Sequence, residues 1–377
     1  MLKKSIPFIL LLIVLFCSAE CEGLLLPGNT KSLPKKIEQF TAVVWNVQTF
    51  FDGQDTGNEY AEFRESAGWT QEKYEARLLA IGQAILRMRS LSAQENENQQ
   101  AAVAPDLIGL VELENANTLE DLLHGPLSKQ GYVHTFFGNL PGMSLGIGVL
   151  SRFPLTETKI HSITVNNQTA PRPVLEVHLE PGGEPLIFFI CHWKSKVGGD
   201  DATEPLRRAS AMVISRRLLE LREEKPGAPV IIMGDLNENH DEFYRRQGTV
   251  LSALLPDDED AALLAATQEG GFLVLSKEKP PRAEYFDSSF VLYTPWENEL
   301  LDGSYYYRDN WETIDHFLLS EELFDNRGWD YDTCMVLNMP PFTNAKALPN
   351  PYNPRNGFGL SDHLPLILFL KAVTEIY

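Results

Sequence analysis

The sequence predicts an α+β layered domain, with sheets inside and helices outside. Short apolar runs rich in Val, Ile and Phe recur at 41–47, 106–111, 146–150, 186–190, 230–233, 314–319 and 364–370, bounded by Gly, Pro or charge. Runs of that length between such residues form buried strands. Two longer stretches instead carry helical stripes. Strands and helices mix without strict alternation, which points to stacked layers rather than a repeating strand–helix unit.

In chain order, the run at 41–47 comes first. The segment 71–88 then places Tyr74, Leu78, Ile81, Ile85 and Met88 on one face and Glu72, Lys73 and Arg77 elsewhere, as an amphipathic helix requires. Residues 92–105 are polar and Gln/Asn-rich and read as a loop. A second helical stripe runs through Ala211, Ile214 and Leu218 within 206–221. The acids at 257–260 read as a solvated turn, and 338–359, crowded with Pro, Asn and Gly, as a long loop. No internal repeat, zinc-type Cys/His spacing or Walker-type phosphate loop is found.

The chain has 377 residues, 44% of them hydrophobic, ample for a large core, and no linker divides it. The N-terminus reads as an address. Lys3 and Lys4 precede an apolar run at 6–17 that ends in Cys17, Ser18 and Ala19. This is a secretory-signal pattern with cleavage after Ala19, and the run is shorter than the ~20 residues a membrane span needs. The expectation is export to the periplasm or the extracellular space. A lipid anchor on Cys21 is a weak alternative, because Glu20 stands where a small residue is wanted.

Cleavage would remove two lysines and no acid, moving the formal charge from −20 to −22. Such a surface repels nucleic acid and anionic membrane at long range, so an anionic substrate needs metal ions or a local basic patch. Of the four cysteines, Cys17 would leave with the signal. No disulfide framework is implied; two buried thiols at Cys191 and Cys334 are expected, with a bridge between them as the alternative.

The chemistry gathers at strand ends. The first run ends in Asn46 ("VVWNVQ"), the second in Glu112 ("GLVELEN"), the fourth in His192 ("FFICHWKSK") and the fifth in Asp235 and Asn237 ("IIMGDLN"). The last is entered through Asp362 and His363 ("LSDHLPL"). Singly, each residue has a bland reading: a turn, a cap or a satisfied core histidine. Together they would end strand after strand in groups that are costly to bury unpaired. A shared cation or charged substrate removes that cost. Oxygen donors without thiolate suit a hard ion, Mg²⁺ with Mn²⁺ or Ca²⁺ as substitutes. An Asp–His pair beside it suits phosphoester hydrolysis by activated water.

The ordered set "WNVQ", "GLVELEN", "HWKSK", "GDLN", "IDHFLLS" and "LSDHLPL" resembles the endonuclease/exonuclease/phosphatase superfamily, in the manner of its secreted bacterial members. The resemblance implies a DNase I-like four-layer α/β/β/α sandwich, with a signal at 1–19, an extension at 20–39 and a catalytic domain at 40–377. It implies that Glu112 holds the metal with Asn46 beside it, and that Asp362 contacts metal or water. Asp235 would orient or deprotonate the attacking water and Asn237 steady the phosphate. His363 would act as acid/base on the scissile phosphate, with Asp315 fixing its tautomer, and His192 would help protonate the leaving oxygen. Lys196, Arg207 and Arg308 are candidate phosphate contacts. Tyr305, Tyr306, Tyr307 and Trp311 are candidate base-stacking residues, with core packing as the alternative for half of them.

The implied function is a secreted, metal-dependent phosphodiesterase, a nuclease on DNA or RNA. A phosphatase or sphingomyelinase-like esterase on a small or lipid phosphoester is the alternative, and an exported binding protein without activity a third reading. Nucleic acid is the expected substrate partner; no stable protein partner is implied.

Overall fold

Strand after strand in this protein is apolar on both faces, because each sheet is covered twice. The structure, a computed structural model, describes residues 37–92, 104–165, 168–267, 270–286, 290–300 and 302–373. The expected signal, Cys21 and most of the Gln/Asn-rich loop lie outside them. Among the described residues no helix is long and apolar enough to cross a membrane.

One sheet has six strands in the order Trp329–Val336, Leu366–Ala372, Gln39–Phe50, Leu107–Leu113, Gly146–Ser151 and His134–Gly138. The other has eight: Leu254–Pro256, Leu273–Ser276, Val291–Tyr293, Asp315–Leu319, Val230–Asp235, Leu186–His192, Val174–Leu179 and Leu155–His161. Side chains alternate faces with period two. Ala42 and Val44 therefore meet Ile190, Ile231, Met233 and Phe317 between the sheets. Val43 and Trp45 point the other way, onto Ile81, Ile85 and Met88 of the helix Gln71–Ser92. On the far side, Phe189, Cys191 and Ile232 pack against Ala211, Ile214 and Leu218 of the helix Asp200–Glu224. The result is the four-layer α/β/β/α sandwich, a DNase I-like α+β fold.

Several elements differ from the sequence reading. The acids at 257–260 are not a plain turn: Asp258 caps the helix Glu259–Ala265, accepting the Ala261 N–H. Leu155–His161 forms an edge strand although it is half exposed along its length. Cys191 and Cys334 are free, buried thiols, so the alternative of a bridge between them falls.

Candidate active site

The centre strands of the eight-stranded sheet deliver three groups by register alone. Asp235 pairs in parallel with His192 and antiparallel with Asp315, and directly opposed residues project on one face about 5 Å apart. Gly234 is required between them: its φ is +147°, and a Cβ there would sit 2.0 Å from the Cys191 carbonyl oxygen. The strand ends immediately, as the Asp235 carboxylate accepts the Asn237 N–H at 2.9 Å.

The six-stranded sheet reaches the same cleft by breaking register. Between the pairs Asn46–Val111 and Phe50–Leu113, residues 47–49 oppose the single residue Glu112. Gln48, Thr49 and Glu112 all take left-handed φ values of 52°, 52° and 69°, at a cost of about 1–3 kcal/mol each for non-glycine residues. The kink turns Glu112 out of both neighbouring ladders and into the cleft. Thr49 N–H binds its Oε2 at 2.7 Å. His363 arrives from the chain entering Leu366–Ala372, its N–H donating to Ser361 Oγ, which itself donates to the Asn46 carbonyl.

The assembled cleft has a volume of about 810 Å³. His363 Nδ1 lies 2.8 Å from Asp315 Oδ2, which also accepts the Ser304 hydroxyl at 2.6 Å. The other imidazole nitrogen, Nε2, faces Asp235 Oδ2 at 3.9 Å. Tyr305 stacks on the His363 ring at 4.5 Å. His192 Nε2 stands 3.6 Å from both Glu112 Oε1 and Asp235 Oδ2. Asn46 Nδ2 bridges the same two carboxylates at 3.2 and 3.0 Å.

Burial dominates the charges here. It raises Asp235; the His363 charge pulls the other way, Asp315 and Glu112 push up again, and the result is about 7. Burial also opposes the His363 charge, but Asp315, Asp235 and Asp362 overcome it and raise its pKa to about 10. His192 falls well below its ordinary value through burial, with Arg172 and His363 adding to the effect. Asp362 is raised, again chiefly by burial.

Glu112, Asp235, Asp362 and Asp315 thus bring four carboxylates to one buried site. Ligand atoms of Asp235, Asp315 and His363 lie within 4.8 Å of one another, and Asp315 Oδ1 is buried with no hydrogen-bond partner among the described residues. Oxygen-rich, sulfur-free and short of positive charge, the donor set fits a hard divalent cation. Asp315 Oδ2 and His363 Nδ1 are spent on each other, so the donors left for an ion are Glu112, Asp235, Asp362 and the second oxygen of Asp315.

Ten of the eleven sequence-derived site residues meet at this cleft: Glu112, His192, Lys196, Asn237, Asp235, Arg308, Asp362 and His363 line it, Asp315 lies directly behind His363, and Asn46 bridges the Glu112 and Asp235 carboxylates. Asn46 turns its NH₂ group to the carboxylates, while its Oδ1 accepts the Gln48 N–H. One expectation is corrected. Arg207 is no phosphate contact: fully buried, it pairs with Glu238 and Glu204 at 2.6 Å each. It also donates to the carbonyls of Lys194 and Asp200, tying down the loop that carries Lys196. Lys196 itself is held by Glu242 at 2.6 Å. Of the aromatics, Tyr307 is exposed beneath Arg308, whereas Trp311 packs against Tyr306. The reading missed Arg172, a cleft cation that donates to the Trp193 carbonyl, as well as Ser304 and Ser361. A lone arginine between prolines and two loop serines carry no signal in a single sequence.

No curated protein matches the chain closely enough in sequence to count as a relative. Truncated TDP2 from Caenorhabditis elegans is similar in structure over 89% of this chain and 98% of its own, at 14% identity and a TM-score of 0.50. An endonuclease/exonuclease/phosphatase family protein from Bacteroides thetaiotaomicron is 14% identical, with 88% and 94% covered and a TM-score of 0.48. The human Nocturnin catalytic domain is 17% identical, with 89% and 96% covered and a TM-score of 0.47. At such identities the likeness speaks to the fold alone. The sequence profile of the Endonuclease/Exonuclease/phosphatase family, however, matches residues 41–268, more than half the chain. With that match and this fold, the chain belongs to the endonuclease/exonuclease/phosphatase family of phosphoester hydrolases.

Proposed function

We propose that the protein is an exported, divalent-metal-dependent phosphodiesterase that acts as a nuclease. One observation carries the reading: Glu112, Asp235, His192 and His363 converge on a single cleft, where Asp315 Oδ1 is also buried without a hydrogen-bond partner among the described residues. Glu112, with Asp362 and Asp235 in reach, would hold Mg²⁺, for which Mn²⁺ or Ca²⁺ can substitute. When bound, the ion supplies charge neutralisation at the phosphoryl oxygens.

The chain's own groups do the rest. Asp235, buried beside the cleft with Oδ2 3.9 Å from His363 Nε2, takes the proton of the attacking water. His363, kept protonated and oriented by Asp315, presents Nε2 to the scissile phosphate and gives its proton to the leaving oxygen. His192 enters as a neutral ring, so it serves as a hydrogen-bonding partner and not as the proton store. Asn237 steadies a phosphate oxygen. Arg172, Lys196 and Arg308 on the cleft wall supply the local positive charge that the acidic surface otherwise denies a polyanion.

That same acidity, a formal charge of −20, favours a second reading, a phosphatase or phospholipase C-like esterase on a small or lipid phosphoester. Plasmid DNA, RNA, sphingomyelin and an inositol phosphate, each assayed with Mg²⁺, with Mn²⁺ and with EDTA, separate the two. Metal-dependent cleavage of nucleic acid is expected. Turnover of only the small or lipid esters reverses the order, and no turnover of any substrate rejects both. Export, motivated by the charged, apolar and small-residue pattern at 1–19, is checked by the N-terminal sequence and location of the secreted product.

A further inference from the structure

We propose that Arg77 is a positioning residue that holds two segments of the active site from beneath, the one that presents Glu112 and the one that leads to His363; the inference rests on the phosphoesterase reading above. The kink at residues 47–49 is an unfavourable piece of backbone, with two successive left-handed residues, and its N–H groups do specific work. Gln48 N–H fixes the Asn46 amide at 2.9 Å and Thr49 N–H fixes the Glu112 carboxylate at 2.7 Å. With those N–H groups committed to the cleft side, the carbonyls of the kink need donors elsewhere.

One side chain reaches all three, although Phe51 N–H also donates to the Thr49 carbonyl at 3.0 Å. Arg77, on the helix Gln71–Ser92, donates Nη1 to the Thr49 carbonyl at 2.8 Å and Nη2 to the Val47 carbonyl at 2.8 Å, and Nη2 reaches the Gln48 carbonyl as well. It is 2% exposed. Among the described residues none of its hydrogen bonds goes to a carboxylate; carbonyl dipoles, the Tyr352 ring 3.8 Å away and the more distant Glu112 and Asp362 charges favour its cation. A planar guanidinium with a fixed fork of donors can serve three successive carbonyls; an ammonium is a point donor and cannot span them.

The same kink grips the segment that leads to His363. Gln48 Nε2 donates to the Tyr352 carbonyl at 3.3 Å, and Tyr352 N–H returns to Gln48 Oε1 at 2.7 Å. Tyr352 belongs to the long loop that leads into Ser361, Asp362 and His363. Arg77 therefore stands under the metal-side acid through Thr49, and under the histidine side through Gln48 and Tyr352.

Wild type, R77K and R77M separate this role from simple core filling. Three readouts are taken: calorimetric binding of Mn²⁺ without substrate, kcat and KM on bis(p-nitrophenyl) phosphate, and the crystal structure of each variant. R77M is expected to bind Mn²⁺ about tenfold more weakly or worse and to lose about tenfold or more in kcat, as loss of a support to a metal ligand commonly does. KM should hold within about twofold, and R77K should recover part of both losses because it keeps charge and length. Wild-type Mn²⁺ affinity in R77M, or a crystal structure with Thr49 still bonded to Glu112, overturns the proposal. If R77M does not fold, R77K is read by the same measurements, and wild-type values there overturn it. Should wild type itself bind no Mn²⁺ and cleave no phosphoester, the functional reading fails. The variant structures then still decide whether Arg77 sets the place of Glu112.

Discussion

The two walls of the cleft are built in opposite ways. The eight-stranded sheet sets His192, Asp235 and Asp315 side by side on three neighbouring strands in unbroken register. The six-stranded sheet presents Glu112 only by abandoning register, with residues 47–49 against one opposed residue and three left-handed backbones. Regular pairing fixes direction as well as spacing, so it suits groups that must share a hydrogen-bonded array. An acid that has to leave its sheet to meet an ion needs a distortion, and the distortion needs supports.

The sharpest way to break the comparison is to remove a registered group, Asp235, or the histidine that the registered Asp315 holds. Asp235→Ala or His363→Ala should lower kcat by about 10²–10⁴-fold, the range for a positioned acid or base. Both should stay folded, because truncating Asp235 also removes a buried carboxylate that is costly to ionise. Retention of most of the rate in steady-state assays would show that the registered wall is not the reacting one.

Next comes the kinked wall. Glu112→Gln should raise the metal concentration for half-maximal activity by about 10- to 100-fold, read from activity against Mg²⁺ concentration. KM at saturating metal should change little. If metal dependence is unaltered, Glu112 is not the ion's holder.

Stability should divide along the same line. Met233→Ala, in the packed layer between the sheets, should cost about 2–5 kcal/mol. Thr49→Gly should stay within about 1 kcal/mol of wild type, because relief of left-handed strain offsets the added chain entropy. Urea unfolding of both variants tests this; equal losses would mean the kink is unstrained.

Two titrations sharpen it further. In the metal-free protein, the His363 imidazole should titrate near 10 by NMR, and Asp315→Asn should lower that value by removing its nearest anion. Away from the cleft, Glu176 is buried, opposed by burial but held well below the carboxylate range by His161, His178 and Arg217. A folded-state pKa that is depressed stabilises above the unfolded value of about 4.3 and loses that contribution as pH falls below it. Glu176→Gln should therefore destabilise by about 3 kcal/mol at pH 7, with the gap to wild type narrowing in thermal melts below about pH 4. A gap that widens on acidification would contradict the sign.

Much of this was legible in the letters. The runs at 186–190 and 230–233 read as strands because both faces of the sheet are buried, so no polar residue interrupts them. The edge strand Leu155–His161 escaped because it is half exposed along its length. Trp329–Val336 escaped because Asp330, Asp332 and Thr333 break its apolar run. Arg207 was misread for a related reason: a charge in a motif looks available until Glu238 and Glu204 are seen closing on it. Asn46 reads as a strand end but stands inside Gln39–Phe50, at the last regular pair before the kink, and which end of its amide faces the carboxylates depends on the Gln48 N–H.

The sequence by itself determined the layers and the strand ends at which oxygen donors and imidazoles stand, because periodicity and punctuation are local properties of the chain. Only the tertiary structure decided how those ends meet: which carboxylate binds His363, which arginine is sealed away, and how residues 47–49 leave register to free Glu112. Those outcomes depend on competition among groups far apart in the chain for the same few hydrogen bonds, and no stretch of sequence contains both competitors.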